Sequence, residues 1–300
     1  MNISEETFIA WSKGPSVTES EKCTNAETAV RKAIKADKSL GDLDISVFAQ
    51  GSYRARTNVR QKSDVDICIR YNGCFYPQYP EGVTGKAYGH TDGTFQFSDF
   101  KNLVQTALTN YFGDDGVTRG NKAFQIHENS YRIGTDVVPT FEHRRYTGLK
   151  NSDGTDEIIY GVAFKPDKGD LIKNFPQQTY DNGVTRNNDT GRQHKRVIRI
   201  LKRLRGRMLD DKVAAAGPSP SFLIECLVWN ADLAAFSNDN YTASLRHIIA
   251  NVWNNTRDVE GCKSWVEVNR LKWLFSPYQP WTFKQANDFM QAAWNYIGYK

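Results

Sequence analysis

Residues Val47–Ile69, V-F-A-Q-G-S-Y-R-A-R-T-N-V-R-Q-K-S-D-V-D-I-C-I, decide the fold of this 300-residue chain. The pattern predicts a strand, a tight turn at Gly51 and Ser52, a short helical or irregular segment, and a second strand. In the segment Asp64–Ile69 apolar and polar residues alternate, and successive side chains of a strand point to opposite faces. The three aliphatic residues therefore face a core, and both aspartates point the other way, together.

Two carboxylates on one face repel each other unless a cation neutralises them. Hard oxygen ligands suit Mg²⁺, which usually keeps substrate phosphates and waters in its remaining positions. Gly51 allows the backbone to approach a ligand closely, and Ser52 adds a hydroxyl beside it. A third candidate carboxylate, Asp136, lies in a later predicted strand, Y-R-I-G-T-D-V-V-P. The alternative is an ordinary pair of aspartates at a solvated strand end.

A Gly-Ser turn, a D-x-D strand and a later strand aspartate, in this order, resemble the nucleotidyltransferase superfamily of the DNA polymerase β type. The resemblance implies an α+β fold in which a mixed twisted sheet with helices forms the core. It also implies that Asp64, Asp66 and Asp136 are the catalytic and metal-binding residues.

Composition excludes several other classes of protein. Hydrophobic residues make up 39% of the chain, but no apolar run approaches the ~18 residues of a membrane span. The first residues have no basic and apolar signal-peptide pattern. The five cysteines are scattered, and none forms C-x-x-C. This usage indicates reduced thiols in a cytoplasmic protein.

The chain divides by its pattern into two parts. Residues 1–175 alternate predicted strands and helices, and residues 176–300 are almost wholly helical, which predicts a core lobe and a helical lobe with the active site in the cleft between them. We predict irregular segments at 72–93 and 166–189. The predicted helices span residues 18–37, 97–112, 190–209, 219–235, 242–258 and 282–297.

A basic helix lies in the second part of the chain. Residues 186–207 hold nine Lys or Arg and a single acidic residue, on a chain of net charge +5. Lys195, Arg199 and Lys202 follow at i, i+4 and i+7 and so lie on one face, opposite an apolar stripe. Three aligned cations suit a triphosphate, although such a face is also typical of a solvated amphipathic helix.

Seven segments carry a closer resemblance, which covers nearly the whole chain. The matching segments are W-S-K-G-P-S (11–16), A-Q-G-S-Y-R-A-R-T-N-V (49–59), S-D-V-D-I (63–67), D-V-V-P (136–139), Y-D-N-G-V (180–184), V-I-R-I-L-K-R-L-R (197–205) and P-S-F-L-I-E (220–225). With these segments the chain resembles the bacterial cGAS/DncV-like nucleotidyltransferases (CD-NTases), in particular clade E. Such enzymes make cyclic oligonucleotide signals in the anti-phage defence called CBASS, and clade E members favour pyrimidines, with products such as cyclic di-UMP or cyclic UMP–AMP.

The resemblance implies a role for each matched residue. Two Mg²⁺ ions, with Mn²⁺ as the alternative, would be bound by the aspartates, and Asp136 would hold the ion that activates the attacking 3′-hydroxyl. Asn182 is the best match for an amide that reads the pyrimidine, with Asn187 and Asn188 as alternatives. The other nucleotide-binding residues would be Gln50, Gly51 and Ser52 around the donor triphosphate, Lys202 and Ser221 on its tail, and Phe222 stacked on a base.

The resemblance also implies the partners. Nucleoside triphosphates would be the substrates, UTP first, with ATP or CTP as alternatives, and a separate effector protein would read the product. The Cys/His zinc insertion of the animal DNA sensor is missing, so we expect no need for nucleic acid; we also expect a monomer without membrane attachment.

Three other activities remain open from the sequence. The same aspartates suit a pyrimidine mononucleotide cyclase of the Pycsar defence system. An RNA-terminal nucleotidyltransferase shares the core but needs a longer basic surface. A non-catalytic nucleic-acid-binding module would explain the basic helix and leave the aspartates unexplained.

Overall fold

A computed structural model describes residues 3–59 and 64–299. Part of the opening stretch, residues 60–63, therefore lies outside the described residues, including the serine of the S-D-V-D-I segment. The chain forms two compact units. The sheet unit comprises Ser16–Arg54 and Ser63–Pro176, and the helical unit comprises Met1–Pro15, Ala55–Lys62 and Gln177–Lys300. The predicted division near residue 175 did not assign the two shorter segments to the helical unit.

The sheet unit is built on a mixed sheet. In its described residues the strand order is β1-β2-β5-β4-β3, with β6 on β5 and β7 on β6. Only β2 and β5 pair in parallel; the other neighbours are antiparallel. The strands are β1 (Ile45–Gln50), β2 (Val65–Gln78), β3 (Val117–Arg119), β4 (Phe124–Ile126), β5 (Thr135–Lys150), β6 (Asp156–Phe164) and β7 (Ile172–Asn174).

Strand β2 is longer than predicted, because residues 72–78 continue it and the irregular segment starts only after Gln78. A bulge between Tyr71 and Phe75 interrupts the pairing with β5, which then resumes to Gln78. Strand β1 pairs with β2 only as far as Tyr71. Beyond that point no strand of the described residues pairs with β2 on the β1 side, and such an edge tolerates Pro77. Gly73 therefore lies at a bulge and Pro77 at a sheet edge, whereas the remaining Gly and Pro residues of 72–93 lie in the irregular segment after Gln78.

Helices cover the sheet unit and close its core. These helices are α2 (Val17–Ala36), α3 (Lys38–Gly41), α4 (Gly51–Ala55) and α5 (Phe97–Phe112). Helix α5 has the predicted bounds and fully buries Phe100, Val104 and Leu108, each contributing about 1.5–3 kcal/mol of transfer free energy. Ser16 caps α2, and the Ser16 backbone N–H donates to the Glu19 carboxylate at 2.7 Å. The helix therefore begins one residue before Thr18.

The helical unit packs around the basic helix α7. Val197, Ile200, Leu201, Leu204 and Met208 are completely buried, so the predicted apolar stripe is confirmed. Helix α1, which the sequence analysis did not predict, buries Phe8 in the same core. The helices of this part of the chain are α1 (Glu5–Ser12), α6 (Pro176–Asp189), α7 (Gln193–Asp210), α8 (Ser221–Asn230), α9 (Tyr241–Asn255), α10 (Val259–Cys262) and α11 (Phe283–Ile297).

The loop predicted over residues 166–189 is wrong in its second half, which forms helix α6. Its first residue, Pro176, suits the first helical position because the N–H that proline lacks would be unpaired there anyway. The Asn, Asp, Thr and Gly residues that indicated a loop lie on this helix, where Gly183 is buried.

None of the helices in the described ranges combines the length and the apolar composition that a membrane span requires. All five cysteines are free thiols, and four of them are buried.

Candidate active site

The sheet register places Asp66 and Asp136 side by side. They are direct partners in the parallel pairing of β2 with β5, and adjacent strands lie about 4.8 Å apart. Both side chains point away from the core, since their neighbours Val65, Ile67 and Val137 are buried. Two aspartates far apart in sequence thus meet on one face of the sheet.

Asp64, the residue before β2 begins, is the third aspartate. The Val65 N–H donates to the Gly134 carbonyl at 3.0 Å, which sets Asp64 opposite Gly134. A Cβ atom at Gly134 would lie 2.5 Å from Asp64 Oδ1, so a larger residue there would displace the Asp64 carboxylate. Asp64 is exposed and Asp66 and Asp136 are half-buried. The three aspartates predicted from the sequence therefore converge in the sheet unit.

The electrostatics of this set fit a divalent cation. Burial and the neighbouring Asp64 carboxylate raise the pKa of Asp136, and a bound cation would relieve this repulsion. Among residues 3–59 and 64–299, no group of three or more His, Cys, Asp or Glu side chains is arranged so that it could hold a metal ion. Because Mg²⁺ is commonly held by one or two carboxylates together with substrate phosphates, these aspartates fit an open site that nucleotide binding completes.

The Gly-Ser turn lies directly beside Asp66. Gln50, the last residue of β1, pairs with Asp66, and Gly51 starts α4 with φ +62°. A Cβ at Gly51 would lie 2.0 Å from Asp66 Oδ2. Glycine is thus required twice, by the left-handed backbone and by the contact. Ser52 follows on α4, partly exposed.

The predicted nucleotide-binding residues of the helical unit lie on several helices. Ser221 is exposed at the start of α8, where the first backbone N–H groups have no partner within the helix. Phe222 is partly buried, with its ring centroid 6.2 Å from that of Trp281. Asn182 lies on α6 and donates to the Val268 carbonyl at 2.9 Å, which fixes the orientation of its amide.

Lys202 does not lie on an open cationic face, and this part of the sequence interpretation is wrong. Its side chain is only 3% exposed and is paired with Glu225, whose side chain is 8% exposed. The Lys202 ammonium also donates to the Thr57 carbonyl at 3.2 Å, and the Thr57 hydroxyl donates to Glu225 at 2.8 Å. Lys202 therefore belongs to a buried polar cluster with Thr57 and Glu225, which we call the Lys202 cluster.

Arg199 is also engaged by the protein. Its guanidinium donates to the carbonyls of Ser12 and Arg56, both at 2.7 Å. Burial first, and then nearby arginines, lower its pKa to about 10. Lys195 has its ammonium 5.8 Å from the centre of the Tyr180 ring. In this structure the row of three cations ties segments of the helical unit together.

Comparison with known proteins gives matches over the whole chain. A cyclic dipyrimidine nucleotide synthase, CdnE, of Legionella pneumophila is 41% identical over 98% of this chain and 97% of its own length. A cyclic dipurine nucleotide synthase of Elizabethkingia meningoseptica is 40% identical over 100% of both chains. Residues 181–298 match the family model of the cGAS/DncV-like nucleotidyltransferase C-terminal helical domain.

The chain belongs to the cGAS/DncV-like nucleotidyltransferase family. A solved structure of the Rhodothermus marinus CdnE c-UMP-AMP synthase with Apcpp and Upnpp superimposes on this nucleotidyltransferase with a TM-score of 0.83, at 25% identity and covering 99% of this chain and 98% of that one. The resemblance drawn from the motifs is therefore confirmed, as is the α+β fold with a C-terminal helical domain.

Sequence reasoning missed Gln125 in the nucleotidyltransferase. It is the register partner of Asp136 in β4 and is exposed, so a polar row, Gln50, Asp66, Asp136 and Gln125, crosses four strands. The local sequence Phe124–Ile126 gives no signal for this, because pairing decides it. Glu225 was detectable in principle: an acidic residue within the apolar run F-L-I-E-C-L-V indicates a buried cationic partner.

We expect Gly51→Ala to reduce nucleotide turnover by more than the strain of its left-handed backbone alone would. The added methyl group must displace the Asp66 carboxylate, in addition to the roughly 1–2 kcal/mol cost of a left-handed non-glycine residue. Gly82→Ala is the matched control, since Gly82 has φ +74° and nothing within 4 Å of an added Cβ. Nucleotide turnover and the melting temperature of both variants should be measured; equal losses of turnover would contradict the proximity argument.

Proposed function

We propose that this enzyme joins nucleoside triphosphates into a pyrimidine-containing cyclic dinucleotide, such as cyclic di-UMP or cyclic UMP–AMP. The observation that carries the proposal is the convergence of Asp64, Asp66 and Asp136 beside the Gly51 turn. The full-length similarity to cyclic nucleotide synthases supports the reaction class. The product would serve as a cytoplasmic anti-phage signal read by a separate effector protein, with a monomeric enzyme that needs no nucleic acid.

The aspartates are proposed to hold two Mg²⁺ ions together with the phosphates of the donor. When bound, such ions stabilise the charge on the attacking and leaving oxygens of an in-line displacement. Asp136 accepts the proton of the attacking 3′-hydroxyl, which forms a bond to the α-phosphorus of the donor while pyrophosphate leaves. A second transfer within the linear intermediate closes the ring.

The donor nucleotide is proposed to be held through backbone and side-chain donors. Gly51 allows the chain to approach the triphosphate, and Gln50 and Ser52 contribute polar side chains beside it. Ser221 offers a hydroxyl at a helix N-terminus, a position that favours phosphate because of its N–H groups and dipole. Phe222 stacks on a base. Lys202 contacts the triphosphate tail only if nucleotide binding breaks its ion pair with Glu225.

Asn182 is proposed to read the pyrimidine. Its amide has donors and an acceptor for a uracil edge, and the bond to the Val268 carbonyl orients it in advance. We expect Asn182→Ala to reduce UTP incorporation about ten-fold or more while ATP incorporation changes less, since a lost polar contact to a base typically costs 1–3 kcal/mol. Asn188→Ala, at an exposed position of the same helix, tests the alternative amide; an equal or larger effect of Asn188→Ala would contradict the assignment.

A second candidate product is a cyclic dipurine nucleotide. The relative from Elizabethkingia meningoseptica, as similar overall as the dipyrimidine synthases, carries that name. Incubation with four separately labelled triphosphates, phosphatase treatment and mass spectrometry distinguish the candidates. We expect a two-nucleotide ring that contains uridine. A two-purine ring would support the second candidate, and a one-nucleotide ring would instead indicate the Pycsar-type cyclase.

A further inference from the structure

An open cavity lies in the sheet unit, at the far end of the strand that carries Asp136. Its volume is about 350 Å³, and it is lined by the hairpin of β5 and β6 and by the segment after β2. Asp136 is at the start of β5 and Tyr146, in the cavity wall, is ten residues further along. At about 3.3 Å per residue this separation is roughly 30 Å. The cavity is therefore distinct from the aspartate site.

Aromatic rings form much of the wall. Tyr146 and Ile158 are register partners on β5 and β6, and alternate residues of β6 share a face, so Tyr160 and Asp156 flank them on the same side. The Tyr88 ring completes the wall, with its centroid 4.3 Å from that of Tyr146. Tyr160 is 49% exposed, and its ring is accessible to a ligand.

A hydrogen-bonded core holds these rings in place. Both ring nitrogens of His90 are engaged, Nδ1 with the Tyr79 hydroxyl at 2.7 Å and Nε2 with the Tyr146 hydroxyl at 3.2 Å. Tyr79 in turn stacks on Tyr88, with centroids 5.4 Å apart and planes 13° apart. The wall is thus built before any ligand binds, which lowers the entropy cost of binding.

The charge on the lining is negative. The described lining residues include Asp156 and Glu157 and no Lys or Arg, and the Arg144 guanidinium beside the cavity hydrogen-bonds to Tyr146. Asp156 is paired with Lys150 at 2.8 Å, but the Lys150 side chain is 61% exposed. Because an exposed pair of this kind contributes little to stability, another cation can replace Lys150 at the Asp156 carboxylate. Glu157 accepts a bond from the Thr147 hydroxyl at 2.6 Å.

We propose that this cavity binds an organic cation, an ammonium or a guanidinium group. The negative faces of aromatic rings attract such cations, and the Asp156 carboxylate supplies an ionic partner. The two sources with this chemistry are a free polyamine and a lysine or arginine side chain of a protein. The proposal does not depend on which nucleotides the enzyme joins.

Calorimetric titration of the full-length protein tests the proposal. The probes are spermidine, for a free polyamine, and N-acetyl-arginine amide, for a protein side chain, each at millimolar concentration. N-acetyl-citrulline amide has the same shape as the arginine probe without its charge. We expect at least one cationic probe to bind and the citrulline probe to bind at least five-fold more weakly than the arginine probe or not at all. The cationic probe that binds more tightly indicates whether the ligand is a free polyamine or a protein side chain.

Variants locate the binding. Tyr160→Ala and Asp156→Asn should each weaken cation binding at least five-fold and leave nucleotide turnover unchanged. Tyr278→Ala and Asp170→Asn, at exposed positions elsewhere, are the matched controls and should bind as the unmodified protein does. Absence of binding by both cations, equal binding of the citrulline probe, or full binding by Tyr160→Ala would overturn the proposal.

Discussion

The double substitution of Asp64 and Asp66 by asparagine is expected to lower product formation at least about 1,000-fold. Asparagine keeps the shape of each side chain but removes the charges that are proposed to hold the metal ions, and the charge stabilisation that such ions supply is the main term in this class of reaction. The measurement is the rate of pyrophosphate release with labelled triphosphates at saturating Mg²⁺.

Folding of this variant should be intact, because neither aspartate is part of the core. Asp170→Asn, an exposed aspartate of the same unit, is the control and should keep full activity. Mg²⁺ with a non-hydrolysable triphosphate should raise the melting temperature of the unmodified protein and of the control, but not of the double variant, since a ligand stabilises only the folded state that binds it. A double variant with normal turnover would refute the metal assignment.

The pH dependence of stability gives an independent check on the aspartates. The pKa of Asp136 is raised in the folded protein by burial and by Asp64. The folded state therefore binds the Asp136 proton more tightly than the unfolded chain does. The stability that this difference contributes is fully present below the pKa of Asp136 in the unfolded chain, and it is lost as the pH rises through the pKa of Asp136 in the folded protein. Removing the Asp64 charge should reduce that loss. In metal-free buffer Asp64→Asn should thus melt at a higher temperature than the unmodified protein at neutral pH.

Among the variants considered, Lys202→Met should lower the free energy of unfolding the most. The substitution leaves the Glu225 carboxylate buried without its cation, and breaking a buried pair in this way typically costs about 3–5 kcal/mol. Denaturant unfolding of the variant measures the loss. The double variant Lys202→Met with Glu225→Met removes both charges and should recover most of it, because two apolar side chains leave no unpaired charge.

An exposed ion pair provides the control for the Lys202 cluster. Lys263 and Glu260 are 2.6 Å apart, but their side chains are 65% and 72% exposed. Lys263→Met should change the free energy of unfolding little. A loss for Lys202→Met no larger than this control would show that the Lys202 cluster does not stabilise the fold.

The same variants separate the two roles of Lys202. If the lysine contacts the triphosphate, the stable double variant will have a raised KM for the donor nucleotide. If the lysine only stabilises the fold, that variant will have a normal KM. The predicted role of Lys202 in nucleotide binding is tested in this way without confusing activity with folding.

Some features of this protein follow from its sequence alone. The alternation of Val65, Asp66 and Ile67 fixes which side chains are buried, because a strand has a period of two. The apolar spacing of α5 likewise predicts its bounds and buried face, and that of α7 predicts its buried face, although α7 begins three residues later than the predicted residue 190. The ordered motifs around Gly51, Asp64 and Asp136 were sufficient to indicate the nucleotidyltransferase superfamily, and seven segments along the chain indicated the family.

Other features were decided only by the tertiary structure. Asp136 meets Asp66 through a parallel register, and Lys202 finds Glu225 and Thr57 through packing; a local pattern records neither kind of pairing. The spacing of a cationic residue along a helix is the same whether its charge is solvated by water or paired with a buried carboxylate. Local periodicity sets which way a side chain points, and only long-range contacts set what it meets there.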